Sequence, residues 1–247
     1  MYHFFADENQ VSESSISISG DDYNHIKNVI RLKEGDTVMV SLKNPPRNFM
    51  CEVDFYTDKE AILRITESDV ASTELPCQVT LFQGLPKADK MELIIQKAVE
   101  LGVYDIVPVS MKRCVVKLDE KKADSKIKRW NLISESAAKQ SKRSIIPQIR
   151  DVVPYKRVIE LVGEYDLVLV PYENEDGMKA TRKLMESIEA GSKVAVVIGP
   201  EGGFEDDEID LARKNNMHTI TLGKRILRTE TAGLAALSMI AYAVEDR

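Results

Sequence analysis

The pattern of this chain predicts an α/β protein in two parts, a small all-β unit followed by a mostly parallel sheet covered by helices. Three observations carry that reading. Apolar residues alternate with period two in successive segments of roughly the first 70 positions. From Val79 onward, strand-like apolar runs alternate with helical stretches, the signature of a parallel sheet with helices on both faces. Between the two lies Ser68–Pro76, small, polar and ended by proline, so the boundary belongs there, giving domains of residues 1–72 and 73–247.

In the first part, Val38, Val40 and Leu42 alternate, as do Phe49, Cys51, Val53 and Phe55, and then Ala61, Leu63 and Ile65. Turn residues separate these runs, which predicts antiparallel strands of a barrel or sandwich. One helix interrupts them: Asp21 or Asp22 caps a segment in which Tyr23, Ile26 and Ile30 share a face. In the second part the predicted strands are Val79–Phe82, Ile106–Val109, Tyr165–Val170, Lys193–Ile198 and His218–Leu222. The predicted helices are Lys90–Leu101, closed by Gly102, then Lys126–Lys142, Gly177–Ile188, Asp206–Asn215 and Thr229–Val244.

At 247 residues with 43% hydrophobic and 30% charged residues, the chain is an ordinary folded protein rather than a disordered one. Cys51, Cys77 and Cys114 lie far apart, and three scattered histidines complete no ligand set, so neither a metal centre nor a disulfide framework is expected. The amino terminus lacks a secretion pattern. The longest apolar stretch, Ala232–Val244, has 13 residues, short of the roughly 20 that cross a bilayer. These features predict a soluble cytoplasmic protein. The net charge of −6 disfavours nucleic acid, but from Lys112 to Arg150 twelve Lys and Arg face four acidic residues, a local +8 that leaves −14 for the remainder. One face of such a chain can bind phosphates, although charge runs are usually solvated helix surface.

Ligands of parallel sheets bind in the loops after strand carboxyl ends. Three such loops stand out: Pro171-Tyr172-Glu173-Asn174, Gly199-Pro200-Glu201-Gly202-Gly203, and Gly223-Lys224-Arg225-Ile226-Leu227-Arg228. Glycine permits tight turns and close approach to main chain. Any one loop is satisfied by a simple turn; three together favour a nucleoside-like ligand. The glycines come too late for a dinucleotide fingerprint, and no phosphate-loop lysine follows them.

At these loops the chain resembles a known family. "IGPEGGFEDDEI" (198–209) and "LGKRILRTETAGLAAL" (222–237) are similar to the RsmE family of the SPOUT superfamily, enzymes that methylate N3 of a uridine in 16S small-subunit ribosomal RNA. "HIKNVIRLKEGD" (25–36), "QGLPKADKMELIIQKAVELGV" (83–103) and "ESAAKQSKRSIIPQI" (135–149) carry the same resemblance, which thus covers nearly the whole chain. It implies a PUA-like RNA-binding β-barrel followed by a SPOUT methyltransferase domain with a deep trefoil knot, an exception to un-knotted connections. It also implies S-adenosyl-L-methionine, bent among the knot loops. The contacts carried over are Pro171, Tyr172 and Glu173, then Ile198, Gly199, Pro200, Glu201, Gly202 and Gly203. Leu222, Gly223, Ile226, Leu227 and Arg228 follow, with Thr231 and Ala232. On this view the glycine loop is bare so that the cofactor meets peptide groups, and Gly202→Val blocks cofactor access while sparing the fold.

Methyl transfer to a protonated ring nitrogen needs a proton removed or the resulting anion stabilised. Arg228 is the candidate for stabilising charge on the uracil carbonyls, aided by the helix that follows. Glu201 and Glu230 are candidates for base or for orienting the arginine; Glu230 also suits a helix first turn, with Thr229 as its N-cap. The RNA track is expected at Arg31, Arg47, Lys139, Lys142 and Arg143, each of which taken alone is ordinary surface charge. In the last helix, Leu234, Leu237, Ala241 and Val244 form one face and Ala235, Met239 and Tyr242 another, so burial on more than one side is expected. With the resemblance this predicts a homodimer. The alternatives are the same chemistry on transfer RNA, and a catalytically silent RNA-binding assembly factor; the intact glycine and arginine loops favour the enzyme.

Overall fold

The computed structural model describes residues 1–245. By its internal contacts the chain forms two compact units: Met1–Glu74 with Ala138–Ile146, and Leu75–Ala137 with the chain from Pro147 onward. A single cut near residue 72 therefore misses a segment that returns to the first unit from the middle of the sequence.

The first unit is a five-stranded sheet of β1 (Tyr2–Ala6), β2 (Ser15–Ser19), β3 (Thr37–Lys43), β4 (Pro46–Tyr56) and β5 (Glu60–Ser68), in the order β1-β3-β4-β5-β2. The two edge strands approach each other, so the sheet curls around a core that includes Phe4, Ile16, Ile18, Val40, Phe49 and Leu63. Period-two patterning places β3, β4 and β5, with two corrections. Phe55 is 47% exposed rather than inward, because a bulge between Val53 and Phe55 breaks the alternation and turns the ring outward. The sheet is not wholly antiparallel either: β1 pairs parallel with β3, Phe4 opposite Val40. Strands β1 and β2 lie outside the predicted set. Helix α1 (Gly20–Asn24) runs into a wider turn over His25–Val29 that buries Ile26. Its N-cap is Ser19, so Asp21 and Asp22 sit within the first turn instead of capping it.

The returning segment is held by polar contacts. The Glu74 carboxylate accepts from Arg143 Nε at 2.9 Å and from the Ser144 amide at 2.8 Å. Asn48 donates to Ser144 Oγ at 2.8 Å and accepts from Ser41 Oγ, which is bonded to His3 Nε2 at 2.8 Å. His3, Ser41, Asn48 and Ser144 are all buried.

The second unit holds β6 (Gln78–Gly84), β7 (Asp105–Ser110), β8 (Gln148–Ile149), β9 (Val153–Pro154), β10 (Leu167–Pro171), β11 (Lys193–Ile198) and β12 (His218–Ile220). Their order is β12-β10-β11-β6-β7-β8, with β9 also on β7, and every pairing is parallel. Val194 to Ile198 are buried without alternation, as a central parallel strand covered on both faces requires. The helices are α2 (Lys90–Glu100), α3 (Glu120–Ser141), α4 (Tyr155–Leu161), α5 (Met178–Glu186), α6 (Asp206–Lys214) and α7 (Thr229–Val244). In α2, Met91, Ile94, Ile95, Ala98 and Val99 form the buried stripe, and Gly102 follows in a left-handed conformation that only glycine adopts freely. Two short strands, β8 and β9, and helix α4 escape the sequence patterns. Because β12, β10 and β11 are neighbours, the loops leaving their carboxyl ends emerge side by side.

Helix α7 has the expected burial except at Tyr242. Its buried stripe is Gly233, Ala236, Leu237, Ile240 and Val244, while Leu234, Ala235, Met239 and Ala241 are half-buried and Tyr242 is 90% exposed. The helix packs on β6 and β11 and against α2 and α5, so it is buried on more than one side and leaves one exposed strip through Thr231, Ser238 and Tyr242. No helix among the described residues is long and apolar enough to cross a membrane.

Candidate functional site

The loops after β10, β11 and β12, with the start of α7, enclose a cavity of about 710 Å³, within the range of small-molecule and cofactor sites. Of the predicted cofactor residues, all but Thr231 line it. Thr231 is exposed on the first turn of α7, and Ala232, about 100° further round the helix, reaches the cavity instead. Lys90, from the start of α2, also lines the cavity, as do Glu175, Asp176, Phe204, Thr221, Lys224, Arg225 and Thr229.

The glycine loop has a packing reason beside the one expected. A Cβ on Gly202 would stand 2.9 Å from Arg113 Cβ, and one on Gly199 would stand 3.2 Å from the Phe204 ring. Both glycines are therefore required by packing of the loop on its own supports. Arg113 adds a hydrogen bond from Nη1 to the Gly202 carbonyl at 2.8 Å, and its Nε is 2.9 Å from Glu205. A valine at 202 would displace this brace, so the expectation that Gly202→Val spares the fold is withdrawn.

Thr229 is not the N-cap of α7; Arg228 holds that position with extended backbone. The buried Thr229 hydroxyl instead donates to the Gly199 carbonyl at 2.7 Å and accepts from Gln83 Nε2 at 2.9 Å. One hydroxyl thus ties the ends of β6, β11 and the β12 loop together. From Lys224 to Arg228, no backbone N–H donates a hydrogen bond among the described residues. Five peptide donors of a cavity wall are left for a ligand or water.

Two of the three predicted catalytic side chains, Glu201 and Glu230, meet at Lys90. Its Nζ is 3.1 Å from Glu201 Oε1 and 3.2 Å from Glu230 Oε2. Glu201 also accepts from the Lys87 amide at 3.0 Å. Burial works to raise the Glu201 carboxyl, but the Lys87 amide, its own amide and the Lys90 ammonium hold it below the usual range. The Glu230 carboxyl is lowered by its own amide and then by Lys90, against burial. Lys90 is raised by its bonds to Glu201 and Glu230. Carboxylates so held are ionised at neutral pH and weakly basic, which favours the orienting role over the base. Arg228 is exposed, makes no side-chain hydrogen bond or ion pair among the described residues, and stands near enough to Glu230 to help lower it.

All five predicted RNA contacts fall in the first unit, in unlike surroundings. Arg31 and Lys142 are exposed, in left-handed backbone. Arg47 is exposed and paired with Asp69 at 3.0 Å. Lys139 is 2.8 Å from Asp22. Arg143, 3% exposed, is closed against Glu74, so its guanidinium holds the returning segment and is not presented to a ligand. The basic stretch as a whole is largely spent in ion pairs: Lys112, Arg113, Lys122, Arg129, Lys139, Arg143 and Arg150 each meet a carboxylate. Lys117, Lys121, Lys126, Lys128 and Lys142 form no ion pair among the described residues.

Sequence reasoning missed Lys90, Gln83, Thr229 as a tie, and Arg113. A signal existed for the first two: β6 neighbours β11, so its carboxyl end opens toward the same loops. For Arg113 none did, since its contact follows the irregular segment after β7.

Known proteins share this architecture. Residues 73–241 match the RNA methyltransferase domain family, and residues 18–44 match the RNA methyltransferase PUA domain. The chain is 37% identical over 240 residues to ribosomal RNA small subunit methyltransferase E of Bacillus subtilis, covering 96% of this chain and 93% of that protein. It is 33% identical to the protein of the same name from Mesomycoplasma hyopneumoniae, covering 96% and 98%. The crystal structure of ribosomal RNA small subunit methyltransferase E from Neisseria gonorrhoeae, bound to S-adenosyl methionine, superposes with a TM-score of 0.80 at 30% identity, over 96% of each chain.

Proposed function

The chain belongs to the family of ribosomal RNA small subunit methyltransferase E, and we propose that it transfers a methyl group from S-adenosylmethionine to N3 of a uridine in 16S rRNA. The observation that carries this reading is the cavity itself. Three parallel-strand loops enclose a cofactor-sized space, and a run of unspent peptide donors from Lys224 to Arg228 lies along its wall. Such donors suit the polar edges of an adenosyl group, with Ile198, Leu222 and Leu227 supplying apolar walls. When bound there, the cofactor supplies an electrophilic methyl on sulfur.

The chain's own residues do the rest. The loop after β11, braced by Arg113 and tied by Thr229, fixes the cavity so that reacting groups are held in line. Arg228, cationic and unpaired at the amino end of α7, stabilises negative charge on the uracil carbonyls once N3 loses its proton. Glu230 and Glu201 stay ionised and orient that arginine. The amino-terminal domain, residues 1–72, is read as the PUA-like RNA-binding module, and residues 73–247 as the SPOUT methyltransferase domain with its trefoil knot. Arg31 and Lys142 are the phosphate contacts best placed for access; Arg47 must first leave Asp69, and Lys139 must leave Asp22.

The open side of α7, with Tyr242 and the neighbouring loop residue Ile226 at 87% exposure, is the proposed seat of a second copy. Mapping of modified nucleosides in 16S rRNA and tRNA from a deletion strain tests the reading. Loss of 3-methyluridine from 16S rRNA alone is expected; loss from tRNA with 16S rRNA unchanged would overturn it.

A further inference from the structure

We propose that Lys90 is a positioning residue for this reaction: one ammonium, shared by Glu201 and Glu230, fastens the loop after β11 to the first turn of α7 and thereby places Arg228. The inference rests on the cavity being the methyl-donor site. Lys90 stands at the start of α2, a rigid helix whose buried stripe packs on the core. Its two partners come from different elements, the loop after β11 and the first turn of α7, and each lies within 3.2 Å of the same nitrogen. A solvated surface lysine has no need of two carboxylates; here the three side chains are only 31%, 25% and 16% exposed, and Lys90 and Glu201 line the cavity, with Glu230 behind them beside its lining residue Thr229.

The charged and titratable groups of this corner are Lys90 from α2, Glu201 from the loop, Arg228 and Glu230 from the start of α7, and the Cys114 thiol, which feels the Glu201 charge. Lys90 and Arg228 balance Glu201 and Glu230. Without Lys90, two carboxylates remain with Arg228 as the cation acting on Glu230, so Glu230 draws the guanidinium to itself and away from the substrate. Lys90 itself is held as an ammonium and is not a base. The Glu230 Oε2 oxygen is buried, and Lys90 at 3.2 Å is the one partner found for it among the described residues. Without Lys90, Glu230 keeps one amide, its own, whereas Glu201 keeps its own and that of Lys87, so Glu230 has the fewer remaining donors.

The test compares the full-length wild type with Lys90→Met and Lys90→Arg. Carbon-13 NMR titration of the Glu201 and Glu230 carboxyls, with no methyl donor present, is expected to show both rising in Lys90→Met, Glu230 more than Glu201, and returning in Lys90→Arg. Steady-state methyl transfer is expected to lose at least about tenfold in kcat in Lys90→Met with donor KM changed by less than about threefold, the mark of misplacement rather than lost binding. The acid limb of its pH–rate profile moves upward, and Lys90→Arg recovers most of the rate. An unchanged carboxyl titration in a folded Lys90→Met, or an unchanged kcat and pH profile, overturns the proposal. Absence of transfer by the wild type overturns the functional reading alone, because the titration judges the clasp without it.

Discussion

Two charged clasps, one in each unit, use the same chemistry to different ends. In the first unit Glu74 grips Arg143 and the amides of Ser144 and Ile145, so the carboxylate is saturated and the arginine almost wholly covered. In the second, Lys90 is divided between Glu201 and Glu230, and one Glu230 oxygen is left with an ionic contact only. A clasp whose bonding capacity is used up serves structure. One left short beside a cavity can answer to a ligand, and pays for that in local stability.

The difference can be broken from either side. The largest effect is expected in the saturated clasp: Glu74→Gln leaves a buried guanidinium without its counter-charge and should cost about 3 kcal/mol, read by urea denaturation, with the segment 138–146 losing amide protection first. Arg228→Ala should leave stability within about 0.5 kcal/mol, as for an exposed residue, and lower kcat on the order of a hundredfold, as removal of one charge-stabilising donor does.

The polar network beside Glu74 carries its own pH signature. Burial, then the charges of Lys139 and Lys142, push the His3 imidazole down to about 4 while Ser41 holds its Nε2. The folded state then binds fewer protons than the unfolded one between that value and the ordinary 6.5. The stability it contributes is complete above the unfolded pKa and is lost as pH falls toward 4. From pH 7 to pH 5 the loss is about 2 kcal/mol, and His3→Gln should flatten it in denaturation curves. The smallest effect is expected at the glycine loop. Gly202→Ala, pressed against Arg113, should cost about 1 kcal/mol and weaken the loop brace, seen as a lower Tm with faster amide exchange over 199–205.

How much of this was legible in the sequence follows from range. Strand and helix patterns are local, so β11 and α7 match their predicted bounds and the parallel sheet follows from alternation. The three loops were legible because strand carboxyl ends converge by rule. Tertiary demands were not. Phe55 turns outward at a bulge, Thr229 spends its hydroxyl on Gly199 rather than on a cap, and Gly202 answers to Arg113, 89 positions away. The returning segment was invisible for the same reason, since its partners Asn48 and Glu74 lie 96 and 69 residues from Ser144 and Arg143. Charge was the most misleading signal, because half of the basic run is consumed by carboxylates elsewhere in the chain.

A structure determined with S-adenosylmethionine bound tests the account most directly. The adenosyl group is expected against the peptide groups of 224–228 and 198–203, with the methyl turned toward Arg228. Donor density outside this cavity, or a cavity closed by its own loops at saturating donor, would contradict it.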